Sequence, residues 1–483
     1  MNKPLRRVAI FCGLLIFALL LRDNWIQFVE ADSLKNNPNN RRIAINEYAQ
    51  PRGDIIVDGK AITGSTTTGG DFKYKRTYTD GPMWAPVTGF ASQAYGTNML
   101  EGVDDNILNG TDDRLFFNNT LDMLTGKNKQ GGDVVTTLNA KAQAAAFNGL
   151  GNKKGAVAAI DPQTGAILAL ASTPSYDPSK IAGNSKSDQA NWQSLNADSN
   201  QPMLNRALRE TYPPGSTFKV VTAAAALDNG LYASIDQPTD SPLPYTLPDT
   251  TTQLNNEGNI PCKNATLRVA LQYSCNTVYG HIGAQLGLTK MLDQAKKFGF
   301  DQDLFTPVRA VPSVFPEKMN APQTALSSIG QFDTAATPLQ MAMVAAAIAN
   351  DGKLMKPYMV DQLRAPNLNV IEQTTPQIMG QAVTPQTAQS LQQMMETVVS
   401  SGTGTNAQIP GVTVGGKTGT AQHGVANSAL PYAWFISYAK TSSGSPVAVA
   451  VVVEDGEANR DDISGGGLAA PIAKSVMEAV LNK

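Results

Sequence analysis

Tyr212-Pro213-Pro214-Gly215-Ser216-Thr217-Phe218-Lys219 leads into an Ala- and Val-rich run through Leu227 that Asp228-Asn229-Gly230 stops. Val220, Val221 and Ala223 to Ala226 leave little polar face, so the spacing predicts a helix buried at the centre of a domain, with Ser216 at its start. Outward from this helix, residues 156–160 and 166–171 read as two apolar strands. They are joined by the turn Asp161-Pro162-Gln163-Thr164-Gly165, a β-hairpin that opens the domain. Thr337-Pro338 supplies an N-cap and first-turn proline for a second helix, ending near Asn350. Residues 412–414, 433–439 and 447–453 read as strands, and 471–481 as a closing helix. Strands at both ends around a helical middle imply an α/β sandwich whose sheet is completed by the last third of the chain.

At 483 residues the chain exceeds one ordinary domain. Residues 23–151 are irregular and carry no catalytic constellation. Asn36-Asn37-Pro38-Asn39-Asn40 reads as a loop, Ile55-Ile56-Val57 as a short strand and 64–70 as a small polar stretch. This part is expected to be a spacer or docking domain. The expected division is 1–22 for the membrane segment, 23–151 for the non-catalytic domain and 152–483 for the catalytic one. Within the last, residues 183–201 read as a surface loop.

The N-terminus points to a membrane. Lys3, Arg6 and Arg7 precede the apolar residues 8–21, Arg22-Asp23 closes the run, and Trp25 and Phe28 are placed for an interface. The run is short for a span of ~20 residues and equally fits a signal-peptide core. Val29-Glu30-Ala31 lies too far beyond it for cleavage, so an uncleaved anchor with an exported remainder is expected. Formal charge is -2 and no long basic run follows, which sets nucleic acid aside. With two histidines and no Cys/His cluster of metal-ligand spacing, neither a metal nor another cofactor is expected. Cys12 lies in the apolar run, whereas Cys262 and Cys275 could close a loop worth ~3 kcal/mol in an oxidising compartment.

The chemistry lies in three short runs: Ser216-Thr217-Phe218-Lys219, Ser274-Cys275-Asn276 and Lys417-Thr418-Gly419-Thr420. A serine hydroxyl needs a base, and on a helix Lys219 falls one turn from Ser216. Lysine is ordinarily protonated at neutral pH, so burial and a nearby cation such as Lys417 must lower its pKa. Ser216 at a helix start also aims backbone N–H groups at a developing oxyanion. Ser437-Tyr438-Ala439-Lys440 repeats the spacing, but in a strand residues three apart face opposite sides. Ser194-Leu195-Asn196 repeats the second run in a polar loop upstream of the nucleophile.

In this order the runs resemble those of the penicillin-recognising serine transpeptidases and serine β-lactamases. Arg52-Gly53-Asp54-Ile55, Gly132-Asp133-Val134-Val135-Thr136-Thr137-Leu138, Ile160-Asp161-Pro162-Gln163-Thr164-Gly165 and Gly330-Gln331 with Thr337-Pro338-Leu339-Gln340 extend the resemblance to class B penicillin-binding proteins. The likeness is greatest to the actinobacterial penicillin-binding protein A group. It implies an antiparallel sheet flanked by helices, preceded by a smaller α+β domain and one transmembrane anchor. It also implies a peptidoglycan D,D-transpeptidase, with stem peptides, β-lactams and the membrane as partners. Ser216 would be the nucleophile and Lys219 the base. Ser274 and Asn276 would relay the proton and hold the donor, and Lys417 would keep the site electropositive. Thr418, Gly419 and Thr420 would form the substrate-binding edge, with backbone N–H groups of Ser216 and Thr420 as the oxyanion hole.

His423 reads as a rim residue, His281 as packed structure and Tyr212 as a wall. A β-lactamase is the nearest rival, but it needs a water-activating glutamate such as that of a Glu-x-x-Leu-Asn run, and Glu317-Lys318-Met319-Asn320 is only a loose match. From another class, the chain could act as a scaffold for a membrane glycosyltransferase or division proteins.

Overall fold

The computed structural model describes residues 3–35, 41–115, 130–422, 424, 428–455 and 463–482. The loop expected at Asn36-Asn40 and the rim residue His423 lie outside them.

The apolar runs on either side of the helix Lys219–Asp228 form one five-stranded antiparallel sheet. Its order is Thr413–Ala421, Tyr432–Thr441, Gly444–Asp455, Lys154–Ile160 and Ile167–Thr173. Alternate residues of each strand enter two separate cores. Val447, Val449 and Val451 pack with Ala142, Ala146, Ile472 and Val476 of the helices Ala140–Leu150 and Ala470–Leu481. Ala448, Ala450 and Val452 face the helix Pro338–Ala349, in the core that also takes in the helix Lys219–Asp228. Burial on both faces is why these strands are nearly continuous in apolar residues rather than alternating. Trp434 and Phe435 are both fully buried, one on each face, each worth roughly 1.5–3 kcal/mol of removed apolar surface. The helix Pro338–Ala349 starts as the sequence predicts, with Thr337 Oγ1 accepting from Gln340 N at 3.1 Å.

The first third of the chain is more regular than its composition suggests. Ile55–Val57 pairs in parallel with Asp133–Thr136 and antiparallel with Lys60–Ala61. Val360–Arg364 and Val370–Gln373, from far down the chain, complete this second sheet. The polar stretch at 64–70 is no simple loop, since Thr63–Thr67 forms a hairpin with Tyr74–Tyr78. Beneath it, the fully buried Glu101 accepts from Arg52 Nε (3.1 Å) and Arg76 Nε (2.5 Å). Arg52 also pairs with Asp105 at 2.8 Å. This buried ionic cluster accounts for Arg52 in the Arg-Gly-Asp-Ile motif.

Residues 183–201 are a second correction, because Lys186–Ala197 is a helix and carries Ser194. Apolar periodicity does not hold it. Ser185 and Asp188 form a capping box, and Trp192 stacks on Tyr95 with centroids 4.3 Å apart. At the N-terminus Lys3–Phe28 is one 26-residue helix with no buried residue. At 1.5 Å per residue it spans ~39 Å, more than the ~30 Å hydrocarbon layer.

Candidate active site

Ser216 lies in the 3-10 turn Gly215–Phe218, and Lys219 is the first residue of the α-helix that follows. The turn is gripped from three sides. Gly215 N donates to Gly330 O (2.9 Å), Trp434 Nε1 donates to Pro213 O (3.0 Å), and Thr217 Oγ1 donates to Pro214 O (2.7 Å). Gly215 has φ 53°, a left-handed conformation that favours glycine. Gly419 serves close approach instead, since a Cβ there would lie 3.0 Å from Thr217 Cγ2 and 3.1 Å from Pro214 O. The glycine of Lys-Thr-Gly-Thr thus lets the turn carrying Ser216 rest on the edge strand Thr413–Ala421.

Ser274 follows Tyr273, the C-cap of the helix Leu267–Gln272, in a left-handed conformation, φ 62°, and Asn276 begins the helix Asn276–Lys297. Cys275 between them is bonded to Cys262, with Cα atoms 5.6 Å apart. Lys219 Nζ contacts Ser274 O (2.7 Å), Asn276 Oδ1 (2.6 Å) and Ser274 Oγ (3.1 Å). Lys417 Nζ donates to Ser274 Oγ (2.9 Å) and to Thr418 O (2.8 Å). The hydroxyl of Ser274 therefore bridges the two amines.

Both lysines are fully buried. Burial, then the charge of Lys417, pushes Lys219 well below the usual lysine range, and burial brings Lys417 down to about 7. The charge of Lys417 thus makes Lys219 easier to deprotonate than burial alone would. An uncharged amine has two N–H groups and one lone pair. The two carbonyl oxygens can only accept, so they take both N–H groups and leave the lone pair for a hydroxyl.

One expected contact differs. Among the described residues no hydrogen bond joins Lys219 Nζ to Ser216 Oγ, because the amine is drawn to the Ser274-Asn276 pair. Catalytic hydrogen bonds of this kind are often long without substrate and tighten in the complex.

Ser216, Ser274, Asn276, Thr418 and Thr420 share one cavity of about 350 Å³. Thr418 Oγ1 lies 2.6 Å from Thr403 Oγ1, which fixes its hydroxyl. The sequence reading missed Thr403, Glu257 and Ser464, all of which line this cavity. Their own neighbourhoods in sequence hold no catalytic spacing. The pairing of Cys262 with Cys275 is the one signal that could have drawn the segment around Glu257 to the site.

The repeated motifs are excluded. Ser437 is buried in a strand, and Lys440 Nζ reaches Gln392 Oε1 at 2.9 Å. Glu317 is 64% exposed and pairs with Lys296 at 2.9 Å, outside the cavity. Tyr212, expected as a wall, does not line the cavity but is buried against Tyr432 and Trp434: its hydroxyl donates to Glu454 Oε1 (2.6 Å), and burial raises its pKa above the usual range. His281 is part-buried with its ring edge-on to Tyr245.

Residues 155–478 match the penicillin binding protein transpeptidase domain, and residues 52–134 the penicillin binding protein A dimerisation domain. The chain is 42% identical over 498 residues to the peptidoglycan D,D-transpeptidase PbpA of Mycolicibacterium smegmatis, covering 100% of both. It is 41% identical over 495 residues to the PbpA of Mycobacterium tuberculosis, covering 100% of this chain and 99% of that one. The structure is similar to penicillin-binding protein A from M. tuberculosis in its ceftriaxone acyl-enzyme complex. The TM-score is 0.85 at 40% identity, over 90% of this chain and 100% of the other. Shared sequence over the whole length, and a shared fold around the same ordered motifs, make this chain a member of the penicillin-binding protein transpeptidase family, of the penicillin-binding protein A type.

Proposed function

We propose that the chain is a membrane-anchored peptidoglycan D,D-transpeptidase. Ser216 Oγ attacks the carbonyl between the two terminal D-alanines of a stem peptide, and the lone pair of Lys219 takes its proton. Ser274 passes that proton to the departing D-alanine nitrogen, while Asn276 holds the donor's amide backbone. The Thr418 and Thr420 hydroxyls engage the terminal carboxylate beside Gly419, with Lys417 beneath them as the balancing cation. Backbone N–H groups of Ser216 and Thr420 receive the oxyanion. An amine from a neighbouring stem then resolves the ester. A β-lactam enters the same way but keeps its leaving group tethered, so its ester persists. The lysine–serine–lysine chain around Ser274 Oγ carries this reading, because it sets one hydroxyl between two buried amines whose pKa values are both lowered, ready to pass a proton between them.

The anchor Lys3–Phe28 leaves the positive flank in the cytoplasm and the catalytic part outside the membrane. Residues 23–151 space that part from the bilayer, where a membrane glycosyltransferase or division proteins would meet it. The test is the intact mass of the detergent-solubilised full chain before and after penicillin G, followed by peptide mapping. One stable adduct on Ser216 is expected. An adduct on another serine, or release of the label within minutes, overturns the proposal.

A further inference from the structure

Resting on the transpeptidase reading, a second substrate must enter the same cavity: an amine that is cationic in solution and must approach a site holding Lys417. Glu257 also lines that cavity, with its side chain exposed. Among the described residues it is the carboxylate whose charge acts on both Lys219 and Lys417.

The placement of Glu257 is built into the fold. Asn276 Nδ2 donates to Asn255 O (3.1 Å), Thr277 N donates to Asn256 Oδ1 (3.0 Å), and Asn256 Nδ2 donates to Thr277 Oγ1 (3.0 Å). On the far side of Glu257, Cys262 is bonded to Cys275. The segment is thus stapled at both ends to the turn that carries Ser274 and Asn276. A loop with no other role in donor chemistry is tied directly to the catalytic turn.

Donor recognition uses cations and hydroxyls, which suit a terminal carboxylate and repel an ammonium group. A carboxylate in the same cavity reverses that repulsion locally. We propose that Glu257 is the binding residue for the acceptor's ammonium group and sets the preference of the acyl-enzyme for amine over water. The bound ammonium first loses one proton to solvent past the exposed carboxylate. Its nitrogen then attacks the ester carbonyl, so that the C–N bond forms and the C–O bond to Ser216 breaks. The second nitrogen proton passes to Lys219 and from there to Ser216 Oγ, which restores both groups.

The test uses the full chain in detergent with an activated thioester donor, with D-alaninamide or glycinamide as the cationic amine acceptor. The ratio of aminolysis to hydrolysis is measured for wild type, Glu257→Gln and Glu257→Asp, each at its own pH optimum. Penicillin acylation is followed in parallel. For Glu257→Gln the ratio is expected to fall about tenfold more than acylation does, with Glu257→Asp recovering part of the loss. A cationic acceptor should lose more than a neutral one such as hydroxylamine. Equal losses in acylation and aminolysis would show that Glu257 acts only on the lysines, and would overturn the proposal. Slower hydrolysis of the acyl-enzyme in Glu257→Gln, with aminolysis intact, would make Glu257 a water-activating base and also overturn it. Failure of wild type to be acylated at all would instead remove the transpeptidase reading on which the proposal rests.

Discussion

Replacing Lys417 by methionine removes a buried charge while filling most of its volume, and its effect on Lys219 can be worked out in advance. Lys219 Nζ lies 3.1 Å and Lys417 Nζ 2.9 Å from the same Ser274 Oγ. Those distances bound the two nitrogens at about 6 Å apart, where two unit charges at an effective dielectric of about 20 repel by about 3 kcal/mol. That corresponds to about two pKa units. Burial brings Lys417 down to about 7, and its charge adds to burial in lowering Lys219. Lys219 must be uncharged to act as a base, so acylation rises with pH through its pKa. Removing the neighbouring cation raises that pKa and moves the acid limb upward. In Lys417→Met the limb of the second-order rate of penicillin acylation is expected to shift up by about two pH units. The wild-type rate should also fall above about pH 7, as Lys417 discharges, and the variant should lack that limb. The assay is stopped-flow or quenched labelling with a fluorescent penicillin from pH 5 to 10. An acid limb that stays in place while only the maximal rate drops would refute the coupling.

Glu101→Gln leaves Arg52 and Arg76, which are 4% and 0% exposed, without their shared counter-charge, and should cost about 3 kcal/mol or more in denaturant unfolding. A loss below about 1 kcal/mol would mean that water reaches the cluster. Cys262→Ser with Cys275→Ser should lower stability by about 3 kcal/mol, and slow acylation as the Ser274 turn loosens; an unchanged melting temperature would contradict this. Lys440→Ala should leave penicillin labelling unaltered, because its amine is tied to Gln392 rather than to a nucleophile; loss of labelling would reopen the second Ser-x-x-Lys.

Elements that carry their own signal are legible in the residues alone. Residues 447–453 are apolar throughout because both faces of that strand are covered, and Thr337-Pro338 marks a helix start by local capping chemistry. The helix Lys186–Ala197 is hidden because an Asn-, Ser- and Gln-rich surface shows no apolar period. Its Ser185 and Asp188 cap is the readable sign. The hairpin around 64–70 is hidden because small polar residues do not distinguish a strand from a turn. The N-terminal sheet cannot be completed from local pattern, since two of its strands arrive from residues 360–373.

The sequence by itself determined which side chains would meet: a serine, two lysines and a second serine with its asparagine, at spacings that a helix start, a turn and a strand edge translate directly into position. Only the tertiary structure decided how those groups share protons and charge. Burial lowers the pKa of both lysines, the charge of Lys417 adds to the lowering at Lys219, and Ser274 Oγ bridges the pair. Glu257 likewise reaches the cavity only through hydrogen bonds and a disulfide to residues distant in the chain. Local spacing fixes direction along one element, whereas electrostatics depends on whatever the fold brings within a few ångströms.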